Sequence, residues 1–91
     1  IIHGVNNKYS TLKSFIEQGC YLSFGKGIMY ENKAVIDTFL QTPLSQIFLE
    51  TDDSNLDINS IYEKAAQLKN ISTKELILHI QNNFQTIFKI K

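Results

Sequence analysis

The sequence has a single cysteine, Cys20, among its 91 residues, so no internal disulfide can form. The expectation drawn from that usage is a reducing, cytoplasmic compartment. It also lacks any excess of charge, since nine Lys plus Arg balance nine Asp plus Glu. Net charge therefore gives no electrostatic reason to expect polyanion binding, and a nucleic-acid substrate would need a local patch or a bound metal. No apolar run reaches the ~18 residues a membrane-spanning helix needs, so no membrane partner is expected. Proline occurs once, at Pro43, and there is no internal repeat, low-complexity tract or linker-like stretch.

What is present is ordinary globular composition, 43% hydrophobic and 20% charged. A chain this short buries roughly 60–65% of its unfolded surface, which allows one modest core. It opens directly in the apolar segment Ile1-Ile2-His3-Gly4, and Met29 is its only methionine. The expectation is a piece of a longer protein, residues 1–91 forming one incomplete domain.

Three short β-like runs alternate with amphipathic helical runs. Ile1 to Val5 is the first strand. Tyr9 to Gln18 follows as a helix, with Leu12, Phe15 and Ile16 at helical spacing and Gly19 as its C′ residue. Cys20 to Phe24 is the second strand, closed by the turn Gly25-Lys26-Gly27. Asn32 to Leu40 is helical, with Val35, Ile36, Phe39 and Leu40 as its apolar face. Pro43 separates it from a third strand, Gln46 to Thr51. Asp57 caps a helix running to about Lys69, with Ile58, Ile61, Tyr62, Ala65 and Leu68 on one stripe. Ser72-Thr73-Lys74-Glu75 is a capping box that opens a last helix, reaching about Phe88 and burying Leu76, Ile77, Ile80, Phe84, Ile87 and Phe88. Strands alternating with helices imply an α/β fold with parallel strands.

Ligands of parallel α/β sheets bind at the carboxyl ends of the strands, which singles out His3, Ser23 and Asp52. Alternation places Phe48, Glu50 and Asp52 on one face of the third strand. Strands one and three would lie about 10 Å apart on a flat sheet, given ~4.8 Å between neighbours. Metal bonds are only ~2 Å long, so His3 and Asp52 share an ion only if the sheet curves into a barrel, where inward side chains converge. Two metals ~3.5–4 Å apart relax the demand further.

The stretches Ile2-His3-Gly4, Gly19 to Gly25, Thr42-Pro43-Leu44 and Leu49-Glu50-Thr51-Asp52, with Asn83-Phe84 and Ile87-Phe88 near the end, together resemble the C-terminal part of TatD-related deoxyribonucleases. The most specific element is Leu-Glu-Thr-Asp at 49–52. The resemblance implies the C-terminal three βα units of a TIM (β/α)8 barrel plus an extra C-terminal helix. It implies two divalent metal ions that activate water against a phosphodiester, and DNA as the substrate of the intact enzyme. His3 then matches a histidine metal ligand. Asp52 matches an aspartate that is both a ligand and the group that orients or deprotonates the attacking water. Glu50 matches the motif's glutamate, which holds a ligand or a neighbouring polar group. Ligands that the family carries on earlier strands, a His-x-His pair, a glutamate and a further histidine, are not in this sequence. Asp53-Ser54 stands where the family has Ser-Pro, and the basic loop beyond it is reduced to Asn55-Leu56.

Each candidate has a plainer reading. His3 could be a structural histidine, Asp52 and Asp53 turn residues, and Glu50 one half of a buried ion pair. Lys26 lies in a glycine turn without the Ser/Thr ending of a phosphate loop, and is left as a contact for an anionic substrate. Cys20 is expected to be an inert buried thiol and His79 a surface residue. Phe15, Tyr62, Phe84 and Phe88 are expected in the core rather than as stacking platforms. The expectation is part of a metal-dependent hydrolase, inactive by itself, whose open edges call for the remaining barrel strands or for self-association. Imidazole with carboxylate suits Zn, Mn or Mg alike. Two other classes compete: a stand-alone α/β binding module without metal, and an amidohydrolase acting on a small amide or ester.

Overall fold

The structure is a computed structural model that describes residues 2, 5, 8–51 and 57–88. Its helices are α1 (Tyr9–Glu17), α2 (Lys26–Met29), α3 (Lys33–Gln41), α4 (Ile58–Lys69) and α5 (Thr73–Ile87). Its strands are β1 (Leu22–Phe24) and β2 (Ile47–Leu49), with a 3₁₀ turn at Leu44–Gln46 leading into the second.

The two strands pair in parallel, Leu22 opposite Ile47, Ser23 opposite Phe48 and Phe24 opposite Leu49. On the other side of β1, Ile2 forms a parallel bridge with Leu22. The Ile2 N–H donates to Tyr21 O at 2.8 Å and the Ser23 N–H to Ile2 O at 2.8 Å, while the Val5 N–H reaches Ser23 O at 3.2 Å. Among the described residues the expected first strand is therefore this bridge and its flanking bonds; Ile1, His3 and Gly4 lie outside them. The spatial order follows the sequence order, as the alternating pattern predicts.

Both strands are shorter than the sequence suggests, for a local reason. The Cys20 N–H turns back to Phe15 O at 2.9 Å, and the Cys20 carbonyl accepts from Gln46 Nε2 at 2.8 Å. Cys20 thus finishes the turn after α1 instead of opening β1, and it is half-buried, not fully buried as expected. Gln46 in turn closes the 3₁₀ turn, its N–H donating to Pro43 O at 2.9 Å. Neither that turn nor the four-residue α2 is written in hydrophobic periodicity, because both are too short to show a period.

The Asp57 and Ser72 caps and the Gly19 C′ residue follow the sequence, whereas Asn32, expected inside its helix, caps it. Asn32 accepts from the Ala34 and Val35 N–H groups at 3.0 and 3.2 Å, Asp57 from Asn59 N at 3.2 Å, and Ser72 Oγ from Glu75 N at 3.1 Å. Gly19 has φ of +87°, the left-handed conformation of a C′ residue.

One core collects Leu12 and Ile16 of α1, Leu22 and Phe24 of β1, Val35 and Phe39 of α3, Ile47 of β2, Ala65 of α4, and Leu76 and Ile80 of α5. Phe24 meets Phe39 edge to face, ring centroids 5.0 Å apart, so this side of β1 is turned to the helices. α5 packs on α4, on β2 and on the 3₁₀ turn, and α1 packs on α3. Several expected core positions are not in it. Phe15, Phe84, Phe88 and Leu40 are exposed, and so are Ile58 and Ile77 at the margin. Thr38 and Asn83 are buried in the same helices. His79, expected at the surface, is half-buried.

Candidate functional site at the carboxyl edge of the strands

β1 and β2 run in the same direction and in register, so their carboxyl ends, Phe24-Gly25 and Leu49-Glu50, form a common edge. The ladder continues one step past the strands, since the Glu50 N–H donates to Phe24 O at 2.8 Å. With Leu22 and Phe24 turned to the helices, alternation turns Tyr21 and Ser23 the other way. The Tyr21 and Phe48 rings lie 5.6 Å apart, which puts Phe48 on that second face, and Glu50 follows it by the same alternation. The face away from the helices therefore carries Tyr21, Ser23, Phe48 and Glu50. Ser23 is buried and Glu50 half-buried. A carboxylate at that edge, over a small hydroxyl, is a polar feature on an otherwise apolar strand.

Gly25 holds this edge closed. Its φ of −162° is not left-handed, and the space at the position leaves no room for a side chain. A Cβ built there would overlap the Glu50 carbonyl oxygen and sit 3.2 Å from the carbonyl carbon. Lys26, the first residue of α2, follows at once and is exposed beside the edge. Gly25-Lys26-Gly27 is thus a strand-to-helix turn, as the sequence suggests, with a short helix added.

The opposite end of the sheet is tied down by carboxamides. Gln46 Nε2 donates to Ile16 O at 2.9 Å and Cys20 O at 2.8 Å. Asn83 Nδ2 donates to Leu44 O at 2.8 Å and Ile47 O at 2.9 Å, with Asn83 itself buried. At the end of α3, Lys69 Nζ donates to Leu40 O at 3.2 Å and Thr42 O at 2.6 Å and lies 5.0 Å from the Phe39 ring centroid. Burial holds its pKa below the usual 10.5. Lys64 pairs with Glu31 at 2.9 Å, and that hydrogen bond holds the Glu31 carboxyl below its usual value. These groups are structural: each serves backbone carbonyls or a surface ion pair away from the strand edge.

His3, Asp52 and Asp53 lie outside the described residues. Their sequence neighbours Ile2 and Thr51 are described, the first bridged to β1 and the second directly after Glu50. Among the described residues no three His, Cys, Asp or Glu side chains come together as a metal-binding group. Sequence reasoning singled out Glu50, Ser23 and Lys26. It missed the contact between Gly25 and Glu50, for which a glycine at the end of a buried strand is the available signal.

The sequence matches the TatD related DNase family over residues 1–89. The fold is similar to that of the crystal structure of YjjV, a TatD homolog from Escherichia coli K12. The TM-score is 0.83 at 21% identity, covering 98% of this chain and 40% of that one. The chain thus spans less than half the length of that protein. No curated protein matches the chain.

Proposed function

Because the chain belongs to the TatD related DNase family, we propose that it forms part of a metal-dependent hydrolase, in the finer reading a deoxyribonuclease. Residues 1–91 are then an incomplete domain, the C-terminal three βα units of a (β/α)8 barrel with α5 as an added helix. The observation that carries this reading is the parallel register of β1 and β2, with Ile2 bridged in sequence order beside them. In such barrels the carboxyl edge of the strands is where chemistry is done. Glu50 is at that edge; Asp52 follows Thr51 in sequence just beyond it, and His3 follows Ile2, which is bridged to Leu22.

An imidazole with carboxylates is a donor set that suits Zn, Mn or Mg, so the residue types fit the group. When bound, two such ions supply Lewis acidity and water made acidic enough to attack a phosphodiester near neutral pH. His3 and Asp52 would hold the ions, and Asp52 would also orient the attacking water or take its proton. Glu50 accepts hydrogen bonds that keep a ligand or neighbouring polar group in place, and Lys26 meets the anionic substrate beside α2. Among the described residues β2 has no strand on its outer side, and that open edge calls for the remaining barrel strands or a second copy.

The test is cleavage of single-stranded DNA by the natural full-length protein, with a parallel assay on small amides and esters. DNA is cleaved, a chelator abolishes cleavage, and added Mn²⁺ restores it. Residues 1–91 alone are inactive. Turnover of amides or esters with no DNA cleavage would overturn the nuclease reading and favour an amidohydrolase.

A further inference from the structure

Among the described glycines, only Gly25 is crowded by the Glu50 backbone. Gly25 ends β1, and its Cα faces the Glu50 carbonyl so closely that any side chain would displace backbone atoms. That carbonyl belongs to the residue whose N–H closes the last rung of the ladder, to Phe24 O at 2.8 Å. A shift there moves the start of the segment Glu50-Thr51-Asp52. Gly27, two residues on, is equally crowded, but by a side chain: a Cβ there would lie 2.6 and 2.7 Å from the Val35 γ-carbons. Substitution at Gly27 disturbs the packing of α2 on α3 and leaves the strand edge alone.

We propose that Gly25 is a positioning residue: the absence of its side chain sets where the Glu50 carbonyl sits and so fixes Glu50 at the strand edge where the metal site is proposed. This rests on the metal-site reading of Asp52 and Glu50 and adds to it a residue that touches neither ion nor substrate. Its action is geometric, through one backbone contact between neighbouring strand ends.

The experiment compares Gly25→Ala and Gly27→Ala in the natural full-length protein, by amide hydrogen exchange and by Mn²⁺ titration. Both variants lose stability, so Gly27→Ala serves as the matched packing control. In Gly25→Ala the Glu50 amide exchanges faster than global opening accounts for, and Mn²⁺ affinity falls about tenfold or more. In Gly27→Ala the Glu50 amide keeps its protection relative to global opening, and affinity stays within about twofold. Equal effects of the two substitutions on both readouts would overturn the proposal, reducing Gly25 to a packing residue. Failure of the unaltered protein to bind Mn²⁺ would instead overturn the metal-site reading itself, and the positioning role with it. If Gly25→Ala does not fold, the unaltered protein is read instead: Mn²⁺ slows exchange of the Glu50 amide beyond the global stabilisation that binding gives. A Glu50 amide whose protection rises only with global stability overturns the proposal.

Discussion

At the end of α3 the Lys69 ammonium, half withdrawn from solvent, donates to two carbonyls that the helix leaves unpaired. Lys69→Met keeps the length of the chain and removes the donor, and is expected to cost about 1–3 kcal/mol in chemical denaturation. The same group gives a pH dependence whose sign follows from its lowered pKa. Between that lowered value and 10.5 the unfolded chain binds more protons than the folded one, so stability rises with pH there. The wild type therefore gains on Lys69→Met as pH climbs toward 10.5, and a flat or falling difference would contradict the assignment. Asn83 makes a related case in the interior. Its amide serves Leu44 O and Ile47 O at the start of β2, so Asn83→Leu leaves two carbonyls without that donor. The expected loss is about 2 kcal/mol or more, read as a lower denaturation midpoint.

α5 has two apolar stripes, and only one of them is covered. Leu76 and Ile80 enter the core, whereas Phe84 and Phe88 are 57% and 52% exposed, their rings stacked on each other at 4.7 Å. Leu76→Ala should therefore cost about 2–4 kcal/mol, while Phe84→Gln in the 91-residue chain should change stability by no more than about 0.5 kcal/mol. Denaturant titration of both variants checks this, and a large loss at Phe84 would contradict the described packing. Periodicity placed α5 and its Ser72 cap well, because both signals are local. It could not say which of two apolar stripes meets the sheet, since that depends on where β2 lies. Asn83 was noted only as part of the family resemblance, and its burial was not foreseen for the same reason: an amide reads as polar surface until the carbonyls it serves are known. The strands came out shorter than their apolar runs because Cys20 and Gln46 are engaged in turns, which composition does not reveal.

For the chain as a whole, the Cα radius of gyration is 12.3 Å, close to the roughly 12 Å of a compact domain of this length. The α/β class, the order of the longer elements and the parallel pairing were legible in the alternation of patterns. The family was legible in Leu49-Glu50-Thr51-Asp52 and its companions, and the match over residues 1–89 bears it out. The site was legible only in part. The structure puts Glu50 at the carboxyl edge and Lys26 beside it, while His3 and Asp52 lie outside the described residues. On the proposed function, this chain would lend an imidazole and a carboxylate, distant in sequence, to one metal centre. Calorimetric titration of the natural full-length protein with Mn²⁺ tests it most directly. Two ions should bind per chain, with His3→Ala and Asp52→Asn each weakening binding at least about tenfold. Unchanged Mn²⁺ affinity in both variants would contradict it.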